Sequence, residues 1–294
     1  NVKLSTGLVA PKWQAEDFDL SGITSANVGS YSIGLSQQGL QKLQQANPNY
    51  TLESANVTDG QFHITAAPVT IIAPTLTKSY DGQSYTGSDN QAKIVGLPAN
   101  PQTAKLNYSL TDLSQDTNVQ TDGYAITVQL GDNPNYNVKT VAGKLTITPN
   151  TQATVQVQDS TKFYDGTTQA DTTQFNVKLS TGLVAPKWQA EDFNLSGITS
   201  ANVGSSVIKL SDTGLQKLQK ANPNYTLESA NVTDGQFHIT AAPVTIIAPT
   251  LTKSYDGQSY TGSDNQAKIV GLPANPQTAK LNYSLTDLSQ DTNV

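Results

Sequence analysis

Several carboxylates in the chain have neighbours that could suggest catalysis. Asp81, Asp165 and Asp256 each follow a Tyr and precede a Gly. General acid–base catalysis needs a second ionisable group held close to the first. No carboxylate or histidine recurs at a fixed spacing from these three residues, whereas Asp-Gly at a strand end is a strong signal for a tight turn. We therefore predict turns at these positions and do not expect the chain to be an enzyme.

Trp13 and Trp188 are the two tryptophans, and an indole at a surface could stack on the face of a sugar. Each lies in the sequence GLVAPKWQAEDF, which places Phe18 or Phe193 close by. Large aromatic side chains also dominate the cores of small domains. Trp13 and Trp188 are thus candidate glycan-binding residues, and the alternative is that they anchor a core.

Metal ligands are sparse in the sequence. His63 and His238 stand between Phe and Ile in alternating segments, which predicts that both face solvent. Neither has neighbouring ligands at a spacing typical of zinc. The pair Glu16-Asp17 and the segment GSDN at 87–90 do not match the spacing of a calcium loop. We predict no metal and no cofactor.

The chain is internally repeated. Residues 1–119 recur as residues 176–294, with seven differences. The differing pairs are Asp19/Asn194, Tyr31/Ser206, Ser32/Val207, Gly34/Lys209, Gln37/Asp212, Gln38/Thr213 and Gln45/Lys220. Each unit of 175 residues also contains two related halves, because LTKSYDGQSY at 76–85 resembles STKFYDGTTQ at 160–169. The sequence therefore predicts tandem modules of two types.

Secondary structure is predicted to be mostly strand, with one short helix in one module type. Apolar and polar residues alternate at 61–65, 124–130, 144–148 and 153–158, which is the period of a half-buried strand. The helix is predicted at 37–46 and again at 212–221, with Ser36 and its counterpart at the N-terminus. These patterns favour tandem immunoglobulin-like β-sandwich modules. The alternative is a β-grasp-like module in which a sheet wraps the helix.

The string NPNY occurs at 47–50, 133–136 and 222–225. It follows the predicted helix twice and a predicted strand once. Pro presets a turn, and Asn side chains bond to nearby backbone. We predict that NPNY is turn architecture that delivers a Tyr to the next strand, and the alternative is a ligand site.

Composition limits the classes of partner. The net charge is −6 and there is no Cys or Met. Binding to a phosphate backbone requires a basic surface, so nucleic acid is excluded as a partner. The sequence contains no apolar stretch of the length needed to span a membrane.

Motifs in a fixed order resemble a known class of repeats. They are K-x-Y-D-G, VGSYSI, NPNYTL and a closing G-x-[LF]-x-I-T strand followed by AAPVTI. Together they resemble the YDG and MBG repeats of adhesins on Gram-positive bacteria, notably mucus-binding surface proteins of lactobacilli. The resemblance implies an extracellular, cell-wall-anchored protein, with signal and anchoring sequences outside this chain. It also implies binding to host mucin or other glycans and contact with neighbouring repeats, and it supplies no catalytic residues.

The repeats predict four segments. They are a partial YDG-type module at 1–67 without opening strands, an MBG-type module at 68–150, a complete YDG-type module with the helix at 151–243, and a partial MBG-type module at 244–294 without closing strands. We expect the chain to be a slice of a longer array. The two partial segments are then either completed by chain outside this sequence or loosely ordered.

Three functions are compatible with these patterns. The first is an adhesin repeat region that binds host mucus or glycans through many weak contacts. The second is a structural stalk that spaces a distant domain, and the third is an accessory region of an enzyme acting on cell wall or polysaccharide. Short links containing Pro68, Pro149 and Pro243 predict modules arranged end to end in an extended rod.

Overall fold

The computed structural model describes residues 2–99, 105–263, 266–274 and 281–288. The last six residues of the predicted 244–294 segment lie outside the described residues. The chain divides into two compact units. The first comprises Asn1–Lys78 and Gly82–Ile147, and the second comprises Ser79–Asp81 and Thr148–Val294.

The first unit contains two modules, which we call the first module (residues 2–66) and the second module (residues 67–148). Ser79–Asp81 and Thr148 lie in the second module but belong to the second unit. The helices and strands are, in chain order, β1 (Phe18–Asp19), β2 (Gly29–Leu35), α1 (Gln37–Ala46), β3 (Gly60–Ile64), β4 (Ala67–Ile72), β5 (Thr75–Ser79), β6 (Lys93–Val95), β7 (Tyr108–Leu110), β8 (Tyr124–Ile126), β9 (Val128–Leu130), β10 (Tyr136–Val141) and β11 (Gly143–Thr148).

The second unit contains the third module (residues 151–241) and the segment that follows it. Its described elements are β12 (Val155–Val157), β13 (Ser160–Phe163), β14 (Val177–Leu179), β15 (Phe193–Asn194), β16 (Gly204–Leu210), α2 (Asp212–Ala221), β17 (Val232–Thr233), β18 (Gly235–Thr240), β19 (Thr245–Ile247) and β20 (Lys268–Val270).

Two small sheets form the third module. In one, β12 lies between β14, to which it is antiparallel, and β17, to which it is parallel. In the other, β18 lies between the parallel strand β13 and the antiparallel strand β16, and β15 extends the sheet beyond β16. Val155 and Val157 of β12 share one buried cluster with Ile208 and Phe237 of the second sheet. The alternating apolar residues therefore meet between the sheets.

The second module has the same order of strands as the third. Its β4 lies between β6 and β10, as β12 lies between β14 and β17, and the pairing with β10 is parallel. Its β11 lies between β5 and β8, as β18 lies between β13 and β16. Ile71 of β4 and Leu145 of β11 are fully buried, so the core again lies between two sheets. The two module types are thus variants of one topology.

Both helices begin and end where the sequence predicts. The side chain of Ser36 accepts a hydrogen bond from the backbone N–H of Gly39, and Ser211 does the same for Gly214. This N-terminal cap satisfies one of the donors that a helix leaves unpaired. Leu43 packs into the core of its module at 4% exposed.

The mainly β class predicted from the sequence is confirmed, since the described elements are strands in small sheets apart from two α-helices and short 3₁₀ turns. The sheets are mixed, because the opening strands pair in parallel with the closing ones. The predicted strand 124–130 is divided into β8 and β9, which belong to different sheets. The division occurs at Thr127, whose backbone N–H donates to the Thr111 hydroxyl and whose carbonyl accepts from the Thr111 N–H.

Candidate functional site

The segments 9–14 and 184–189, which we call the tryptophan segments, are the first candidate site. Trp13 packs on Phe18 with ring centroids 5.9 Å apart, and Trp188 packs on Phe193 at 6.0 Å. Both indoles are half-buried. Each ring therefore contributes one part to packing and leaves another part accessible to solvent.

A buried asparagine holds one end of each tryptophan segment. The backbone N–H of Val9 donates to Asn47 Oδ1 at 2.6 Å, and Asn47 Nδ2 donates back to the Val9 carbonyl at 2.8 Å. In the third module, Asn222 makes the same pair of bonds with Val184 at 2.7 and 2.9 Å. Both asparagines are only 4% exposed. This role has no local signal in the sequence, because the bonded backbone lies 38 residues earlier in the chain.

These asparagines are the first residues of NPNY. In the second module, the corresponding Asn133 also bonds in both directions, accepting from the Asn107 N–H at 2.7 Å and donating to its carbonyl at 2.9 Å. All three copies thus clamp an earlier backbone segment. Tyr136 begins β10, as predicted, but Tyr50 is 49% exposed and does not reach a core. The contacts support turn architecture rather than a ligand site for NPNY.

An ion pair holds the other end of the segment. Asp17 is fully buried, and its carboxylate accepts from the Gln14 N–H at 2.7 Å and from Lys42 Nζ at 2.9 Å. The hydrogen bond from Lys42 is the main reason why the pKa of Asp17 lies below its ordinary value. In the third module, Lys217 Nζ lies 2.7 Å from Asp192. Both ends of the backbone segment that carries each tryptophan are therefore held.

The Tyr-Asp-Gly sequences form turns whose oxygen atoms accept hydrogen bonds from a nearby lysine. Lys162 Nζ donates to Asp165 at 2.9 Å and to the carbonyls of Thr167 and Gln169 at 2.8 and 2.6 Å. Burial raises the pKa of Asp165, but the bonds from Lys162 and Thr167 outweigh it and lower the pKa overall. Gly166 adopts a φ of 75°, which favours glycine. The contacts are those of a structural turn.

The histidines lie on an accessible sheet face, as predicted. Ser205 Oγ lies 2.8 Å from Nδ1 of His238, and the same pair in the first module is Ser30 and His63 at 2.7 Å. Asp159 lies 3.9 Å from the other ring nitrogen of His238. That distance is too long for the hydrogen bond that orients a general base. Within the described part of the chain, no cluster of three or more His, Cys, Asp or Glu could hold a metal ion.

Comparison with known proteins gives a matching family and a similar solved structure. The family described as MBG domain matches residues 1–66 and 151–241, which together exceed half of the chain. These segments correspond to the two modules predicted from the sequence to be of the YDG type. A solved structure, a cell surface adhesin from Lactobacillus reuteri, is similar at 28% identity over 30% of this chain and 95% of that chain, with a TM-score of 0.25. No curated protein matches the chain.

Proposed function

Because the chain belongs to the MBG domain family, we propose that it is the repeat region of a bacterial cell-surface adhesin. In this function it mediates or presents adhesion to host mucus or other host glycans through many weak contacts. The proposal assigns binding, and no catalysis, to the chain. Trp13 and Trp188 are the residues proposed to stack on sugar rings.

The observation that carries the proposal is the tryptophan segment, which the same contacts hold in the first and third modules. The segment from Val9 to Gln14 is held by Asn47 at one end and Asp17 at the other, and Val184 to Gln189 is held in the same way. An aromatic ring that is already oriented loses little conformational entropy on binding. Repetition of a weak site along one chain raises the overall avidity.

A bacterial surface location accompanies this proposal. The chain contains no Cys and is rich in Thr, Ser, Asn and Gln. None of the described helices is long and apolar enough to cross a membrane. We propose that anchoring to the cell wall depends on sequence outside this chain.

A structural stalk is the second candidate, and contacts at the links between modules favour it. The N–H of Val28 in the first module donates to Asn135 Oδ1 of the second module at 2.9 Å, and Asn135 Nδ2 donates to Asn27 Oδ1 at 2.8 Å. Bonds of this kind restrict bending between the first and second modules.

Immobilised mucin distinguishes the two candidates. A chain carrying Trp13→Leu and Trp188→Leu keeps apolar packing against the neighbouring Phe but loses the flat ring. We expect the wild-type chain to bind mucin and the double variant to bind at least about tenfold more weakly, as lost stacking at two linked sites requires. The thermal unfolding of both chains, followed by circular dichroism, checks that the modules remain folded.

The matched control alters exposed residues of the same segments. Val9 and Val184 are 61% and 63% exposed, and a chain with Val9→Thr and Val184→Thr should bind mucin like the wild type. A wild-type chain that does not bind mucin or other host glycans supports the stalk. A tryptophan variant that binds as tightly as wild type excludes Trp13 and Trp188 as the site.

A further inference from the structure

The second module has a sheet face on which two lysines stand beside apolar side chains. Strand β4 lies between β10 and β6, and residues that are paired across a sheet share a face. Two neighbouring rows of paired residues point away from the buried Val69 and Ile71 of β4. We call these two rows the lysine face, and they consist of Lys139, Thr70 and Val95 in one row and Val141, Ile72 and Lys93 in the other.

The lysine face is open to solvent. Both of its lysines are exposed, Val95 and Val141 are 47% and 40% exposed, and Thr70 and Ile72 are half-buried. Neither lysine forms a hydrogen bond or an ion pair with the described residues. Exposed apolar groups that are rimmed by polar ones mark surfaces that bind another molecule.

The charge of the lysine face is opposite to that of the chain. The chain carries a net charge of −6, yet the lysine face contains no Asp or Glu. Strand geometry separates Lys93 and Lys139 by two strands and two positions, which is roughly 12 Å between their Cα atoms. The side chains of Thr70 and Ile72 lie between them. The face therefore complements a ligand whose negative charges are separated by neutral groups.

The corresponding face of the third module provides a comparison within the chain. Lys178, Gln156 and Thr233 form one row there, and all three are exposed. Asn231 occupies the position of Lys139, and its side chain donates to two backbone carbonyls. The face is thus accessible in both modules, but only the second module combines two free ammonium groups with apolar side chains.

We propose that the lysine face binds an acidic glycan, in which carboxylated or sulfated sugars alternate with neutral ones. Each ammonium group donates charge-assisted hydrogen bonds to one acidic sugar. The C–H groups of the neutral sugar pack on Ile72, Val95 and Val141, and the Thr70 hydroxyl supplies a donor and an acceptor for sugar hydroxyls. This inference rests on the proposed function, because it names the class of host glycan that the repeat region takes.

The size of the face favours a sugar chain over a folded protein. The outermost Cα positions span roughly 10 Å across the three strands and about 7 Å along them. A stable protein partner buries about 800 Å² on each side, far more than these two rows offer. A few linked sugars match the dimensions of the face, and repetition of the module along a longer array multiplies such weak binding.

The probe is a short, fluorescently labelled hyaluronan oligosaccharide, in which a carboxylated sugar alternates with a neutral one. Titration with the full chain at low ionic strength, followed by fluorescence anisotropy, measures binding. We expect saturable binding that weakens as salt is added, because exposed charges are screened. A neutral dextran oligosaccharide of similar length with the same label should not bind.

Matched lysine variants locate the site. Lys93→Gln with Lys139→Gln should weaken hyaluronan binding at least about fivefold, since two charge-assisted contacts are lost. Lys93→Arg with Lys139→Arg keeps both charges and should restore binding. Lys178→Gln with Lys220→Gln removes the same charge from exposed positions of the third module and should bind like the wild type.

A valine variant tests whether the ligand lies across the face. Val95→Thr with Val141→Thr keeps the shape and the charge of the surface but removes apolar contact area. It should weaken hyaluronan binding by about threefold or more. Both side chains are exposed, and thermal unfolding followed by circular dichroism checks that each variant remains folded.

The outcome is separable from that of the tryptophan site. The chain with Trp13→Leu and Trp188→Leu should bind hyaluronan like the wild type, and a chain that binds mucin but not hyaluronan overturns the lysine face alone. The inference is also overturned if the Lys178 and Lys220 variant loses as much binding as the Lys93 and Lys139 variant, or if the valine variant binds like the wild type. Displacement of hyaluronan by single-stranded DNA at equal concentration would show general attraction to polyanions and would overturn it as well.

Discussion

The side chain of Asn222 and the backbone of Val184 exchange two hydrogen bonds, at 2.7 and 2.9 Å, across 38 residues of sequence. Asn222 Nδ2 also donates to the Leu218 carbonyl at 2.8 Å, at the end of helix α2. A single amide thus ties the end of the helix to the tryptophan segment. Because the side chain is buried, its removal leaves unpaired polar groups.

The first prediction concerns this clamp. Asn222→Ala should lower the free energy of unfolding of the third module by about 3 kcal/mol, as expected when buried donors and acceptors lose their partner. Denaturant unfolding of a Trp13→Phe chain, followed by Trp188 fluorescence, measures the change. Pro223→Ala in the same turn is the control, and its exposed ring should cost less than about 1 kcal/mol. Equal costs for the two variants would contradict the clamp.

Local features of the fold were predictable from the sequence. The helix 37–46 and its Ser36 cap follow from a capping residue and leucines at helical spacing, and both are confirmed. The strand predicted at 124–130 was wrong in one respect, because the Thr111–Thr127 bonds divide it between two sheets. Alternation shows which residues are buried but not which sheet a strand joins.

Long-range features were not predictable in the same way. The bond between Asn47 and Val9 uses the backbone N–H of Val9, which almost any residue type would supply, so nothing local marks the pair. The difference between Phe62 and Phe237 has no local signal at all, since their neighbours along the chain are the same. It depends on whether residues such as those at 153–175 lie on top of the strand.

The second prediction concerns acid stability of the first module. Lys42 lowers the pKa of the Asp17 carboxyl, so the folded state holds the ionised form more strongly than the unfolded chain does. This contribution is present above about pH 4, the ordinary Asp value, and is lost as the pH falls through the lowered pKa. In a chain with Trp188→Phe, Trp13 is the sole tryptophan and its fluorescence reports on the first module. The stability of that module should therefore fall on acidification.

The matched variant isolates the contribution of Asp17. Adding Asp17→Asn removes the titrating group while keeping the shape, so stability should decline less steeply between about pH 4 and pH 2. Asp19, whose pKa is also lowered, by bonds from Ser21, remains in both chains and cancels in the comparison. Parallel pH profiles for the two chains would show that the Asp17–Lys42 pair does not contribute.

The third prediction concerns two tyrosines within the second unit. Tyr80 and Tyr225 meet edge to face with centroids 5.3 Å apart, and Asn150 Nδ2 donates to the Tyr80 carbonyl at 3.1 Å. A double-mutant cycle with Tyr80→Ala and Tyr225→Ala, read by Trp188, should give a coupling of about 0.5 to 1.5 kcal/mol. Tyr255, which holds the same motif position but is 72% exposed, is the control, and its cycle with Tyr225 should show no coupling.

The fourth prediction uses the two copies of GQFHI as a matched pair. Phe237→Ala should destabilise the third module by about 3 to 5 kcal/mol, because it empties a packed site beside Phe175 in the buried core. Phe62→Ala should cost the first module about 1 kcal/mol or less, since nearly half of that ring already contacts solvent. Denaturant unfolding of the two single-tryptophan chains measures both values, Trp188 for Phe237 and Trp13 for Phe62. Similar losses in both modules would mean that Phe62 is covered in solution and would contradict its exposure of 44%.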